Sequence, residues 1–197
     1  MKATYGGFEA KNTRGGSPLP PAGSFLVAEI KAVNIGKNYS GNEQIECAVD
    51  VTEGEWKDCF TNDFEDRRER YGDGSKFRGI FRLTPPVDGD EPWVKQKFES
   101  NLWCIEQSNA NYHWDWDEKK LVGKKVGINI RATKYTGNDG NDYEGTEIGQ
   151  FETVDDVRNG KCRVMKCRDS RKNKHKDESS GEGQATDVTG QVSVPFF

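Results

Sequence analysis

The sequence predicts a mainly β domain in which three strands are followed by one helix and then by a hairpin of two more strands. Apolar and polar residues alternate in several short segments separated by Gly, Asn and Pro, and this period of two is typical of strands. One segment instead has the three- and four-residue spacing of a helix. With 197 residues and 32% hydrophobic content, the chain suits one domain with a modest core and polar ends.

The first two strands follow a lead-in rich in Gly and Pro that ends at Gly23. Residues 25–35 are rich in β-branched side chains, which favours a strand. Turn-forming residues separate them from a second strand. Its alternation directs one set of side chains toward the core, namely Ile45, Cys47, Val49 and Val51. The set expected to face away from the core is Gln44, Glu46, Ala48 and Asp50.

A charged segment separates the second strand from the third. Residues 62–76 are too polar and too rich in Gly for a core position, and two alternatives stay open for them, a short exposed helix or a loop. Residues 77–83 predict the third strand. Its core face carries Phe77, Phe81 and Leu83, and its opposite face carries Arg78 and Arg82.

The helix precedes a hairpin and a second, shorter helix. Pro92 suits the first turn of the helix, whose apolar stripe is Val94, Phe98, Leu102 and Ile105. Residues 121–135 and 143–154 then flank a turn rich in Gly, Asn and Asp, which is typical of a hairpin. In the fourth strand, Val126, Ile128 and Ile130 alternate with Asn129, Arg131, Thr133 and Tyr135. Thr153 with Asp156 predicts the cap of a last short helix.

This order of elements is that of an OB-fold, a five-stranded barrel with its helix between strands 3 and 4. Antiparallel sheets of other topology share the order and stay open as alternatives. The predicted domain is residues 23–167, after a flexible N-terminal arm of residues 1–22. Residues 168–197 have too few apolar side chains to offset the entropy of ordering, so we expect a disordered tail.

Composition restricts the class of protein. The net charge of -4 provides no overall positive field, so any binding of nucleic acid requires a local basic surface. No segment approaches the length of an apolar membrane span, and we expect a cytoplasmic protein. Five cysteines without paired spacing favour free thiols in a reducing compartment over a zinc site at Cys162 and Cys167.

Catalysis has one candidate segment, in which four potential metal ligands lie close together. Clustered carboxylates and a histidine can hold the metal ions of a nuclease. No second acidic cluster lies on a convincing pair of strands, and we therefore favour a solvated loop, no cofactor and no enzymatic activity. The four residues are His113, Asp115, Asp117 and Glu118.

Binding of single-stranded nucleic acid is better supported, because it needs aromatic rings for unstacked bases and cations for phosphates. Aromatic and basic residues alternate repeatedly along the predicted barrel. Arg131, Tyr135 and Trp56 are the strongest candidates, since their strand neighbours already fill the buried face. The full set of DNA-binding candidates is Trp56, Lys57, Phe60, Tyr71, Arg78, Arg82, Arg131, Lys134, Tyr135 and Tyr143.

The tail ends in two phenylalanines after a long polar stretch. Its first residues are basic, and the remainder carries acidic residues and no Lys or Arg. A flexible acidic segment with an apolar tip can enter a basic-rimmed hydrophobic site on another protein, or can compete with DNA for the protein's own groove. The partner-binding candidates are Pro195, Phe196 and Phe197.

The tip resembles the tail ends of bacterial and phage single-stranded DNA-binding proteins, which dock replication and repair enzymes through a terminal Pro-Phe. The body is similar to small proteins from the replication modules of phages of Gram-positive bacteria, at residues 19–33, 54–60, 77–82 and 105–127. This resemblance implies an OB-fold that binds single strands during phage DNA replication or recombination, without enzymatic activity, in the cytoplasm of the bacterial host. It also allows a homo-oligomer.

Two other functions stay open at this point. The acidic charge balance is compatible with a phage protein-interaction module that binds and inhibits a host protein without nucleic acid. The metal-dependent nuclease is the third hypothesis.

Overall fold

Six strands and three α-helices form the part of the chain that the structure, a computed structural model, describes, which is residues 17–38, 40–137 and 139–171. The strands are β1 Phe25–Lys37, β2 Glu43–Val51, β3 Ile80–Leu83, β4 Lys125–Thr136, β5 Asp142–Glu152 and β6 Arg168–Asp169. The helices are α1 Cys59–Tyr71, α2 Pro92–Ser108 and α3 Val154–Arg158, with a short 3₁₀ helix at Glu118–Leu121. None of these helices combines the length and apolar character needed to cross a membrane.

All six strands belong to one mixed sheet. Its order is β3-β2-β1-β4-β5, with antiparallel neighbours, and β6 adds to β4 in parallel. β1 pairs with β4 along Phe25 to Glu29 and with β2 from Ala28 to Lys37, with a register shift between Ile30 and Ala32. The distal half of each hairpin therefore extends beyond the region where β1 and β4 pair.

The sheet is open, so the predicted barrel is confirmed only as a mainly β arrangement with the helix after the third strand. The edge strands β3 and β5 approach each other without pairing, and the rings of Phe81 and Phe151 are 4.3 Å apart. β3 has only four residues. It ends before Pro85 and Pro86, which have no N–H to continue a strand ladder.

The core lies between the sheet and α2. The predicted stripe of α2 is confirmed, since Phe98, Leu102 and Ile105 are buried and Val94 is half-buried. Asn101 connects this helix to the sheet edge, because its side-chain oxygen accepts a hydrogen bond from the Phe151 backbone N–H at 2.8 Å. This bond supplies an acceptor for a β5 backbone group and orients the helix on the sheet.

Asp50 differs from its predicted orientation. It is buried, at 1% exposure, and its carboxylate accepts hydrogen bonds from the backbone N–H groups of Phe60 and Thr61 at 3.1 and 3.0 Å. These groups lie in the first turn of α1, where Asp58 occupies the cap position without a side-chain bond. Asp50 therefore caps α1 from a neighbouring strand. Of the two alternatives for residues 62–76, the helix is correct up to Tyr71.

The segment after α3 returns to the sheet. Thr153 accepts a hydrogen bond from the Asp156 N–H at 3.0 Å, which confirms the predicted cap of α3. The backbone N–H of Ser170 donates to the Lys134 carbonyl at 3.0 Å. Arg171 forms ion pairs with Asp142 and Asp169, each at 3.0 Å. Residues 168–171, expected to belong to the tail, thus contact β4 and β5.

We predict that Asp50→Ala lowers the free energy of unfolding by about 2–3 kcal/mol, because two N–H groups of α1 lose their acceptor in a buried site. Urea denaturation followed by circular dichroism measures this change. Asp88→Ala, which removes the same charge from an exposed loop, is the control and should change stability by less than about 0.5 kcal/mol. Equal stability of the two variants would contradict the capping role of Asp50.

Candidate nucleic-acid interface

Two tyrosines form an exposed stacked pair on the distal half of the β4–β5 hairpin, called here the β4–β5 arm (residues 130–136 and 142–148). Tyr135 and Tyr143 are cross-strand partners, as the predicted hairpin requires. Their ring centroids are 5.8 Å apart with an interplanar angle of 27°, and the residues are 44% and 42% exposed. The Tyr143 hydroxyl donates to Asp139 at 2.6 Å, and this bond raises the pKa of Tyr143. The stacked pair therefore faces solvent, with the Tyr143 hydroxyl held as a hydrogen-bond donor.

Two cations of β4 lie near Tyr135 in the sequence, and each has a carboxylate partner. Lys134 pairs with Glu144 at 2.5 Å, and the bond raises the pKa of Lys134. Arg131 pairs with Glu147 at 2.6 Å. Lys134–Glu144 is thus an exposed ion pair, whereas Arg131–Glu147 is largely buried. The exposed pair stabilises the fold weakly, so Lys134 can exchange its carboxylate for another anion at small cost.

Two arginines share one carboxylate at the base of the arm. Arg168 lies 3.1 Å from the Glu147 carboxylate that also binds Arg131, and we call these three residues the Glu147 cluster. One positive charge of the cluster is not balanced within it. Desolvation lowers the pKa of Lys97 on α2, and the charges of Arg131 and Arg168 lower it further. Lys97 therefore lies within electrostatic range of the cluster.

Gly149 determines where the Arg131 side chain runs. A Cβ atom at this position would be 2.5 Å from the Met165 sulfur and 2.9 Å from Cδ of Arg131. The absence of a side chain at Gly149 leaves space for the Arg131 stem and the Met165 sulfur. The Arg131 Nε group donates to Glu147 at 2.7 Å.

The arginines of the β3 region are also paired. Arg82 donates to its cross-strand partner Glu46 at 2.8 Å, and its side chain is 54% exposed. Arg78 is 3.7 Å from Asp63, a fully buried carboxylate that Arg67 binds at 2.9 Å. Arg82 is available at the surface, whereas Arg78 contributes to the charge balance of a buried acid.

Four further candidates lie on or near α1. Phe60 cannot serve as the predicted DNA-binding residue. Its ring is buried at 4% exposure and contacts Phe77, so no base can stack on it. Its position follows from the bond between its N–H and Asp50. Trp56 is half-buried against the core, and Lys57 is exposed in the preceding turn. Tyr71, at the end of α1, is 76% exposed.

A cavity of about 390 Å³ lies between the β1–β2 turn, the end of β3 and the first half of α2. Trp93, which is 63% exposed, and Lys97 line it, and neither is among the residues predicted from the sequence. Trp93 directly precedes Val94 of the helical stripe, and this spacing places it off the buried face. The sequence pattern that could have indicated this site is a tryptophan off the apolar stripe, followed by a lysine one helical turn later. The volume falls within the range of ligand-binding cavities.

The acidic segment 113–118 is engaged in ion pairs. His113 lies 2.9 Å from Glu106, and Lys120 binds both Asp115 and Asp117. In the described part of the chain, no group of three or more His, Cys, Asp and Glu residues could hold a metal ion. Pro195, Phe196 and Phe197 lie outside the described residues.

No protein-family model matches this chain, and no curated protein is similar to it in sequence. The described surface of the β4–β5 arm is distinguished by a stacked, solvent-facing tyrosine pair.

Proposed function

We propose that the protein binds single-stranded DNA without strong sequence preference and protects it during phage DNA replication or recombination. The Tyr135–Tyr143 pair carries this proposal. Two exposed, stacked rings offer a platform for unstacked bases, and every base has a face that can stack on it. Arg131 lies on the same face of β4 as Tyr135 and can contact a phosphate of a strand bound there, whereas Lys134 extends from the opposite face of the arm.

The strand order supports an OB-fold whose barrel stays open between strands 3 and 5. β1 lies between β2 and β4, and the edges β3 and β5 face each other through Phe81 and Phe151. OB-folds bind oligonucleotides on the strand 2–3 face and at the loops between strands 1 and 2 and strands 4 and 5. Here the stacked tyrosines lie on the β4–β5 arm, and Trp93 and Lys97 lie beside the β1–β2 turn.

The acidic residues of the arm compete with phosphates for its cations. Glu144 and Glu147 hold Lys134 and Arg131 in place when no DNA is bound. Phosphates then replace the carboxylates as partners of these cations. Because released counterions contribute to affinity, binding weakens as the salt concentration rises.

We predict that Tyr135→Ala and Tyr143→Ala each weaken binding of a labelled oligo-dT by about tenfold to a hundredfold, because stacking of one base contributes ~1–3 kcal/mol. Fluorescence anisotropy at low salt measures the affinity. Trp103→Ala is the matched control, since it removes an exposed aromatic side chain from a different element, and should change affinity by less than about twofold. Circular dichroism verifies that each variant is folded.

Wild-type protein that fails to bind oligo-dT in dilute buffer would refute the proposal. The protein-interaction module would then be the better hypothesis, since paired acids and bases on an exposed arm can also contact a protein. Cleavage of the labelled strand on addition of magnesium would instead favour the nuclease.

A second prediction concerns charge. Arg131→Gln should lower the slope of log affinity against log salt by about one, because one phosphate contact is lost. Arg158→Gln serves as the control, since Arg158 is exposed and pairs with Glu53 at 2.5 Å on another part of the fold. A slope for Arg131→Gln equal to that of the wild type would exclude Arg131 from the phosphate contacts.

The proposal includes recruitment of replication or repair proteins through Pro195, Phe196 and Phe197. The structure sets the truncation that separates this role from DNA binding, because residues 168–171 contact β4 and β5. Deletion of residues 172–197 should leave oligo-dT affinity within about twofold and abolish retention of host replication proteins on the immobilised protein. The full-length triple alanine variant of the tip should lose retention equally. Retention unchanged in both would contradict the role of the tip.

A further inference from the structure

The cavity beside the β1–β2 turn combines an aromatic wall, an apolar floor and an available cation. Trp93 forms the wall, and Leu83 and Phe98 contribute buried apolar surface below it. The cavity therefore has the features of a binding site for a flat, partly polar ligand.

The charges around the cavity favour an anion. Arg82 and Lys97 line it together with one carboxylate, Asp90, which already accepts a hydrogen bond from the Val87 N–H at 2.9 Å. Among the described residues, no carboxylate lies within ion-pair distance of the Lys97 ammonium, while Arg82 is held by Glu46. Lys97 can therefore accept a phosphate without first breaking an ion pair.

The β1–β2 turn supplies polar groups at the rim. The side-chain oxygen of Asn38 accepts hydrogen bonds from the backbone N–H groups of Ser40 and Asn42 at 2.9 and 3.0 Å, which fixes the turn. Within the described residues, the Asn42 amide and the Ser40 hydroxyl have no side-chain hydrogen bond. An amide offers both a donor and an acceptor, as the edge of a base requires.

We infer that this cavity holds one unpaired nucleotide, with its base stacked on the Trp93 indole and its phosphate at Lys97. The inference rests on the proposed function and adds a second contact point to it. The charges of Arg131, Arg168 and Glu147 all act on Lys97.

A nucleotide fits these residues better than a sugar. Sugar rings also stack on tryptophan, but their hydroxyl groups need acceptors. The cavity has one carboxylate, which is engaged, and two cations. Neutral maltose serves as the probe for this alternative.

The test compares two tryptophans of the same helix. Trp93→Ala should weaken binding of oligo-dT by about tenfold, and Trp93→Phe, which keeps a flat ring, should weaken it by less than about threefold. Trp103→Ala removes another exposed tryptophan of α2, at 52% exposure and outside the cavity, and should leave the affinity unchanged. Lys97→Gln should weaken binding and lower the salt slope by about one.

Tryptophan emission provides a readout that does not depend on affinity. Oligo-dT should quench the emission of the wild type and of Trp103→Phe, and this quenching should be largely lost in Trp93→Phe. Full quenching and unchanged affinity in Trp93→Phe and Trp93→Ala would overturn the inference. If Trp93→Ala does not fold, Trp93→Phe decides the test through its emission.

Two further probes separate this inference from the proposed function. Normal oligo-dT binding in the Trp93 variants, with loss in the tyrosine variants, would refute the cavity and retain the function. Binding of thymidine monophosphate that Trp93→Ala abolishes, without any binding of oligo-dT, would support the cavity and refute the function. Binding of maltose, with no binding of either nucleotide probe, would overturn the inference in favour of a sugar site.

Discussion

The architecture depends on the way in which β1 divides its pairing between two neighbours. Its first residues form a ladder with β4, and its later residues form a ladder with β2, with the register shift between Ile30 and Ala32 at the crossover. A strand that continued straight would keep both neighbours along its whole length. Because β1 changes partner, the ends of the two hairpins extend beyond the β1–β4 ladder and provide the two candidate binding surfaces. The β4–β5 arm is one of them, and the β1–β2 turn beside the cavity is the other.

A projecting arm leaves backbone groups along its open edge, and the chain covers part of this edge itself. β6 pairs with β4 at Thr133 and Lys134, and Arg171 joins Asp142 of β5 to Asp169 of the same segment. Exposed edges invite pairing with other chains, and short covering strands limit it. The same segment brings Arg168 to Glu147. The pairing of β6 with β4 therefore has two consequences. It covers part of the edge, and it places Arg168 at the base of the arm.

Period and turn chemistry were sufficient to predict the order of the five main strands, the stripe of α2 and the pairing of Tyr135 with Tyr143, although β3 begins at Ile80 and β4 at Lys125, later than predicted. What they could not predict is which polar residues are buried. Alternation places Asp50 and Asn129 on outer faces, yet Asp50 caps α1, and Asn129 donates to Glu152 and to the Arg163 carbonyl at 2.8 and 3.0 Å. A buried polar residue depends on partners distant in sequence, and a local pattern contains no information about them. The same limit explains Phe60, whose inward position follows from the cap that Asp50 provides.

The charge of the surface follows from the same kind of long-range pairing. Counting Lys and Arg along the sequence indicates a basic face, whereas the structure gives Arg82, Arg131 and Lys134 each a carboxylate on the adjacent strand. In cross-strand pairs of this kind, the carboxylate keeps the cation extended in an ordered position. A protein with net charge -4 can in this way carry ordered cations without a positive field that would bind any anion. Under the proposed function, phosphates would take the place of these carboxylates, and selectivity for single strands over duplex DNA would come from the rings, since only unpaired bases can reach the faces of Tyr135 and Tyr143.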